Sequence, residues 1–170
     1  MSSAASASPG TREERIWQLL GAVPDPEIPV LSIVDLGIVR HVRCDAHGRM
    51  TVGLTPTYSG CPATEAIRAA TRAALDAHGE GDVCLEEVLS PPWSSDWLSA
   101  QGQQKLREFG IAPPQGPVTN PRQLWGATGV TCPRCGSHDS ERLSEFGSTP
   151  CKAHYRCIRC REPFDYFKCI

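Results

Sequence analysis

Cys132-Pro-Arg-Cys135-Gly136 and Cys157-Ile-Arg-Cys160 decide how the C-terminal segment folds. Residues 136 to 156 lie between the two pairs, giving C-x2-C-x21-C-x2-C. Two thiolates at C-x-x-C spacing can approach one ion, and the turn between them aims backbone N–H groups at the sulfurs. Gly136 follows the second cysteine and suits the left-handed conformation that such a turn uses. The gap is slightly longer than generic zinc spacing, which lengthens a hairpin and leaves the ligand set intact. A segment this short has little core of its own, so a tetrathiolate site would supply its folding free energy. The spacing therefore predicts a zinc-ribbon-like module over residues 129–170, with Cys132, Cys135, Cys157 and Cys160 as metal ligands. Phe146, Tyr155, Phe164, Tyr166 and Phe167 are the aromatic residues expected to pack around it. Zinc is the expected metal, and iron at a rubredoxin-like site is its competitor, because tetrahedral sulfur suits both.

The chain has nine cysteines, and six fall between positions 132 and 169. Cys151 and Cys169 are surplus to a four-ligand site. They read either as small apolar packing or as additional ligands: replacements at the four-cysteine site, ligands for a labile cluster, or further ligands beside Cys61. His138 and His154 read as surface residues. The opening Met1-Ser-Ser-Ala-Ala-Ser-Ala-Ser-Pro-Gly10 lacks the basic and apolar regions of a secretory signal and reads as a disordered tail. Paired cysteines without an export signal favour metal over disulfides and a reducing cytoplasm.

Upstream, the composition is globular, with 40% hydrophobic and 21% charged residues. A net charge of -2 provides no global basic field for nucleic acid. No apolar run approaches the ~20 residues that span a bilayer. Thr11-Arg-Glu-Glu14 has capping-box spacing and opens a helix carrying Ile16, Leu19 and Leu20, ended by Gly21. Pro24-Asp-Pro-Glu-Ile-Pro29 must be loop. Asp35-Leu-Gly37 reads as a turn before two strands, Ile38–Cys44 and Met50–Thr55, joined through Asp45-Ala-His-Gly48. Ala63 to His78 reads as a helix with Ile67, Ala70, Ala74 and Leu75 on one side. A strand from Val83 to Leu89 follows, then a helix capped by Ser94 or Ser95 and running to Phe109. Cys44 and Cys84, on predicted strands, read as core. Four prolines between residues 111 and 128 mark the boundary, with a linker over 113–128. The architecture expected is an α+β domain over residues 11–112 followed by the ribbon, the two folding separately.

Cys61 precedes Pro62, and proline favours the first helical position. That places Cys61 at or near the N-cap, where it reads either as packing or as a thiolate that the helix dipole stabilises and that can react or bind metal. Thr57, Tyr58 and Ser59 share its loop. Asp25 and Glu27 read either as a solvated loop or, if the Pro-rich loop folds back toward Cys61, as partners of that thiol.

Asp25-Pro-Glu-Ile-Pro-Val30, Val34-Asp-Leu-Gly-Ile-Val39 and Thr57-Tyr-Ser-Gly-Cys61-Pro62 resemble the SufT and MIP-type iron–sulfur assembly proteins over residues 11 to 112. Trp93-Ser-Ser-Asp-Trp97, Phe109-Gly-Ile-Ala-Pro-Pro114 and Phe164-Asp-Tyr-Phe-Lys-Cys-Ile170 extend a resemblance over nearly the whole chain. That second resemblance is to the accessory proteins of the ring-1,2-phenylacetyl-CoA epoxidase system of bacterial phenylacetate degradation. The first resemblance implies an α+β fold and a role in assembling or inserting a cluster. It also implies that Cys61, with Asp25 and Thr57, handles iron or a cluster transiently. The second implies a cluster-carrying client, the epoxidase reductase component. A second copy of the chain is a further candidate partner. No Glu-x-x-His pair of the di-iron kind and no Gly-rich dinucleotide loop supports catalysis. A non-catalytic structural or binding subunit of the oxygenase complex is the alternative. Nucleic-acid binding by the ribbon is disfavoured, because Asp139, Glu141, Glu145, Glu162 and Asp165 dilute Arg134, Arg142, Lys152, Arg156, Arg159 and Arg161.

Overall fold

The computed structural model of the chain describes residues 11–58, 60–115 and 129–168. The expected tail over 1–10, the linker from 116 onward and Cys169 lie outside these. Helix α1, Arg12–Leu20, starts on a full capping box: Thr11 Oγ1 accepts from the Glu14 N–H, and Glu14 Oε2 accepts from the Thr11 N–H at 2.8 Å. Its Ile16 and Leu20 are fully buried. Strands β1, Val39–Cys44, and β2, Met50–Leu54, form an antiparallel hairpin, and β2 pairs in parallel with β3, Cys84–Glu87. The parallel pair needs a crossover, supplied by helix α2, Ala63–Ala77. Its buried stripe is Ala63, Ile67, Thr71 and Leu75, so Thr71 takes the place on the apolar side that the sequence reading gave to Ala70.

Two further sequence expectations are corrected. Cys44 and Cys84 are on strands but exposed: Cys44 ends its strand, and β3 is an edge strand open to solvent along most of its length. The helix expected from Ser94 or Ser95 to Phe109 is broken. Ser94 caps a short 3₁₀ turn, Ser95–Trp97, Leu98 is extended, and Ser99 caps α3, Ala100–Phe109. The break is a tertiary effect. Asp35 C=O accepts from the Ser99 N–H at 2.8 Å and Asp35 Oδ1 accepts from the Ser99 hydroxyl, pinning the chain there.

Asp35 is a structural hub. Its Oδ2 accepts from the Ser32 N–H and hydroxyl and from Lys105 Nζ at 2.7 Å. Leu36 C=O accepts from Trp93 Nε1 at 2.8 Å. Gly37 has φ +67° and lies so close to Trp97 that a Cβ would sit 2.7 Å from its atoms. The Val34–Val39 motif thus holds the 93–105 segment against the sheet.

The C-terminal sheet has the order β4-β7-β6-β5, with β4 Ile111–Ala112, β5 Ser140–Ser144, β6 Lys152–Cys157 and β7 Pro163–Phe167. β5, β6 and β7 are antiparallel neighbours. β4 comes from the end of the first domain and adds in parallel to β7. Tyr155, Phe164 and Tyr166 pack with Cys132 and Cys157 in a small core of their own, as the aromatic reading expects. Phe167 instead enters the larger N-terminal core, 6.1 Å from the Trp93 ring, and Cys151 goes with it. Phe146 is exposed, with the Lys168 ammonium over its ring. No described helix is long and apolar enough to cross a membrane.

Candidate functional site

The first site is in the ribbon. The sulfurs of Cys132, Cys135, Cys157 and Cys160 all lie within 4.8 Å of one another. Cys132–Cys160 and Cys135–Cys157 stand at 3.8 and 3.6 Å. A tetrahedral ion with metal–sulfur bonds of about 2.3 Å would set its sulfurs about 3.8 Å apart, so the four residues fit a tetrathiolate metal. The two knuckles repeat one backbone geometry: the Gly136 N–H donates to Cys132 C=O and the Arg161 N–H to Cys157 C=O, each at 3.0 Å. Gly136 has φ +71° and Arg161 has φ +66°. The Cys160 N–H points at Cys157 Sγ at 3.4 Å, and that bond, with help from Cys160 and Cys135, pulls the Cys157 thiol down to about 7. A metal held there would cross-link the two hairpin ends and supply folding free energy. His138 and His154 bond Thr131 and Asp165 instead.

Three of the ribbon's basic residues lie beside carboxylates. Arg134 pairs with Glu162 at 3.2 Å, Arg156 with Glu141, and buried Lys152 lies 4.0 Å from Asp165. Acidic and basic side chains therefore alternate on this surface.

The second site is a cavity of about 280 Å³ at the start of α2. It is walled by Ile28, Leu36, Ile38, Leu54 and Ile67, and it brings together Asp25, Thr57 and Cys61. The Pro-rich loop does fold back toward the thiol. Its conformation is set by Asp25, whose Oδ1 accepts from the Glu27 and Ile28 N–H groups at 2.9 and 2.7 Å. Asp25 is 6% exposed. Burial pushes its carboxyl up, against those two N–H groups and the nearby Lys152.

Cys61 lies one position before the N-cap, near it as expected. Pro62 is the N-cap and makes no side-chain capping bond, and Cys61 C=O, not its thiol, accepts from the Thr64 N–H. The thiol is instead near the Thr57 hydroxyl, at 3.9 Å. Tyr58 joins them. Its hydroxyl is pushed up, chiefly by burial, then by Cys61, and further by Glu27 and Cys151.

Two residues that the sequence offered only as possible partners of the thiol are placed in the cavity by the fold. Glu27, read with Asp25 as flanking a proline, shares the cavity with the thiol. Cys151 arrives from the ribbon: it is buried, lines the same cavity, donates to Glu27 Oε2 at 3.8 Å and contacts Thr149 Oγ1 at 3.0 Å. Glu65, Arg68 and Glu87 also line the cavity and carried no signal in sequence.

A tetrathiolate ribbon joined to an α+β domain whose helix start carries a cavity thiol defines a class: a cluster-assembly-type domain with an appended zinc ribbon. Family models agree, with "Iron-sulfur cluster assembly protein" matching residues 13–84 and "PaaD zinc beta ribbon domain" matching residues 117–168. The chain belongs to the PaaD family. It is 51% identical over 155 residues, 91% of this chain and 92% of the relative, to a putative 1,2-phenylacetyl-CoA epoxidase subunit of Escherichia coli (strain K12). It is 35% identical over 95 residues, 55% of this chain and 90% of the relative, to an "Fe-S protein maturation auxiliary factor" of Porphyromonas gingivalis (strain ATCC BAA-308 / W83). The crystal structure of Domain of Unknown Function DUF59 from Bacillus anthracis is similar with a TM-score of 0.50 and 29% identity, covering 55% of this chain and 90% of that one. The family places the chain among accessory-type proteins.

Proposed function

We propose that the chain is a maturation factor that carries iron or an iron–sulfur cluster to a component of a phenylacetyl-CoA epoxidase system, with the reductase component as client. The observation that carries this reading is the cavity: Cys61 and Thr57, Asp25 and Glu27 line one partly enclosed space. Thiolate and carboxylate together suit iron, and apolar walls strengthen their hold on a cation. One thiol and neighbouring carboxylates bind more weakly than a full cysteine cage, which favours hand-over of the cargo. The names of the two relatives support the same reading, one belonging to the epoxidase and the other to cluster maturation. The ribbon metal is structural zinc on this reading, and the compartment is the cytoplasm.

The test is Cys61→Ser in cells expressing the full epoxidase system. The variant is expected to fold and to keep its ribbon metal, while the reductase accumulates with less iron–sulfur cluster. A fully loaded and active reductase would show that Cys61 is structural and that this site is misassigned. Elemental analysis of the purified chain should give about one zinc, as a single tetrahedral site requires; iron in its place would overturn the zinc assignment alone.

A further inference from the structure

We propose that Cys151, delivered by the ribbon, is the second thiol of the cavity, and that Cys61 and Cys151 together bind ferrous iron beside Glu27. The proposal rests on the cargo-handling reading above and assigns it a site built from both domains.

Three observations carry it. Cys151 stands at the foot of β6 and is 5% exposed, yet it belongs to the core cluster of the first domain, not that of the ribbon. It lines the same cavity as Cys61. Its Sγ faces a carboxylate oxygen at 3.8 Å and a hydroxyl at 3.0 Å, where a purely packing residue would face hydrocarbon. The backbone fixes its place firmly: Lys168 N–H donates to Cys151 C=O at 3.0 Å, and Phe167 docks beside Trp93.

The chemistry is balanced by protons. Burial pushes the Cys151 thiol up, the Glu27 carboxylate acts in the same direction, and Thr149 and Lys152 oppose them. The thiol is therefore protonated when no cation is present. A divalent cation reverses that preference, because its charge stabilises both thiolates and offsets the carboxylates nearby. Each ferrous ion bound by Cys61 and Cys151 releases up to two protons, so affinity should rise with pH. The cavity volume of about 280 Å³ exceeds one ion's needs. At about 30 Å³ per water, it has room for further ligands from the client. The ribbon's docking thereby controls the site: with the ribbon displaced, one of the two thiols leaves.

The experiment uses the full chain with its ribbon loaded with zinc, titrated anaerobically with ferrous iron alone. Thiolate-to-iron charge-transfer absorption and the iron-edge X-ray absorption spectrum are the readouts. The wild type should bind one iron with two sulfur neighbours. Cys151→Ala and Cys61→Ser should each weaken binding at least tenfold, a loss that even an outer-shell partner can cause, and each should leave one sulfur neighbour. The spectrum of the wild type answers the question even if Cys151→Ala fails to fold. One sulfur neighbour or none in the wild type, or wild-type affinity in folded Cys151→Ala, would overturn the proposal. The reductase-loading assay separates the two readings. Full loading by Cys151→Ala with failure by Cys61→Ser removes Cys151 from the site and leaves the maturation role standing. Full loading by Cys61→Ser removes the maturation site itself.

Discussion

Thr71 Oγ1 is the buried side-chain oxygen that finds no hydrogen-bond partner among the described residues, on the fully buried stripe of α2. A buried hydroxyl without a partner costs about 1–3 kcal/mol in desolvation. Thr71→Val keeps the shape and removes the polar atom, so it should stabilise the chain by about 1 kcal/mol, read as a higher urea midpoint at unchanged slope. Unchanged or lower stability would mean that the hydroxyl is satisfied in solution. Asp35 behaves in the opposite way. Burial would push its carboxyl up, but Lys105 and the Ser32 and Ser99 groups outweigh burial and hold it below the ordinary carboxylate range. A depressed folded value contributes stability that is complete above the ordinary value, near 3.8, and is lost as pH falls through the folded one. Asp25 has the reverse sign: its raised carboxyl makes protonation easier in the folded chain, so its charge contributes no acid-side loss. Asp35→Asn should therefore lower stability at pH 7 by about 1.5–3 kcal/mol, through weaker hydrogen bonds from Ser32, Ser99 and Lys105. It should also flatten the fall in stability below pH 4, which a urea series across pH would show. At this scale the ribbon cysteines were legible because their spacing is itself the site. Glu65, Arg68 and Glu87 were not, because nothing in a local sequence window tells that α2 and β3 face one cavity. The exposure of Cys44 and Cys84 was misjudged for a related reason: the strands were recognised, but which strand forms the edge depends on distant pairing.

The two knuckles differ in the residue that follows the second cysteine. Gly136 and Arg161 take the same left-handed place after the second cysteine of each pair. For a residue with a Cβ that conformation costs roughly 1–2 kcal/mol. Gly136→Ala should therefore weaken the ribbon by about 1 kcal/mol. Arg161→Gly should strengthen it by a smaller margin, since glycine also gains freedom in the unfolded chain. Zinc release by a competing chelator measures both, and equal release rates for both variants and the wild type would contradict the argument. Helix α1 was legible to the residue because its capping box is local chemistry. The break before α3 was not, because Ser94 and Ser99 are both competent caps, and Asp35, some 60 positions earlier, selects between them. Strand β4 was similarly hidden. Ile111–Ala112 sits where the sequence changes from domain to proline-rich stretch, and its partner, Asp165–Tyr166, lies some 50 positions further along the chain.

At the scale of the whole molecule, composition and prolines divide the chain into two units expected to fold separately, whereas the packing couples them. The ribbon places Phe167 and Cys151 in the core of the first domain, and the first domain lends β4 to the ribbon's sheet. Truncating a buried Phe to Ala costs about 3–5 kcal/mol, a large share of the stability of an ordinary domain. Anything that frees Phe167 should therefore weaken the N-terminal domain as well. Removing the ribbon metal is such a change, since β6 and β7 hold Cys151 and Phe167 and are themselves held by the cysteine cluster. Chelation of the full chain should lower the unfolding midpoint reported by tryptophan fluorescence, to which Trp93, packed against Phe167, contributes. Phe167→Ala should lower the same midpoint with the zinc still bound. Limited proteolysis between residues 116 and 128 should leave two fragments that co-elute while metal is present and separate once it is chelated. The contrary outcome is equally definite. If chelation abolishes the ribbon's signals while the tryptophan transition keeps its midpoint, the units are energetically independent. Phe167 and Cys151 would then be passengers on the first domain, and the cavity between them would not depend on the ribbon's metal.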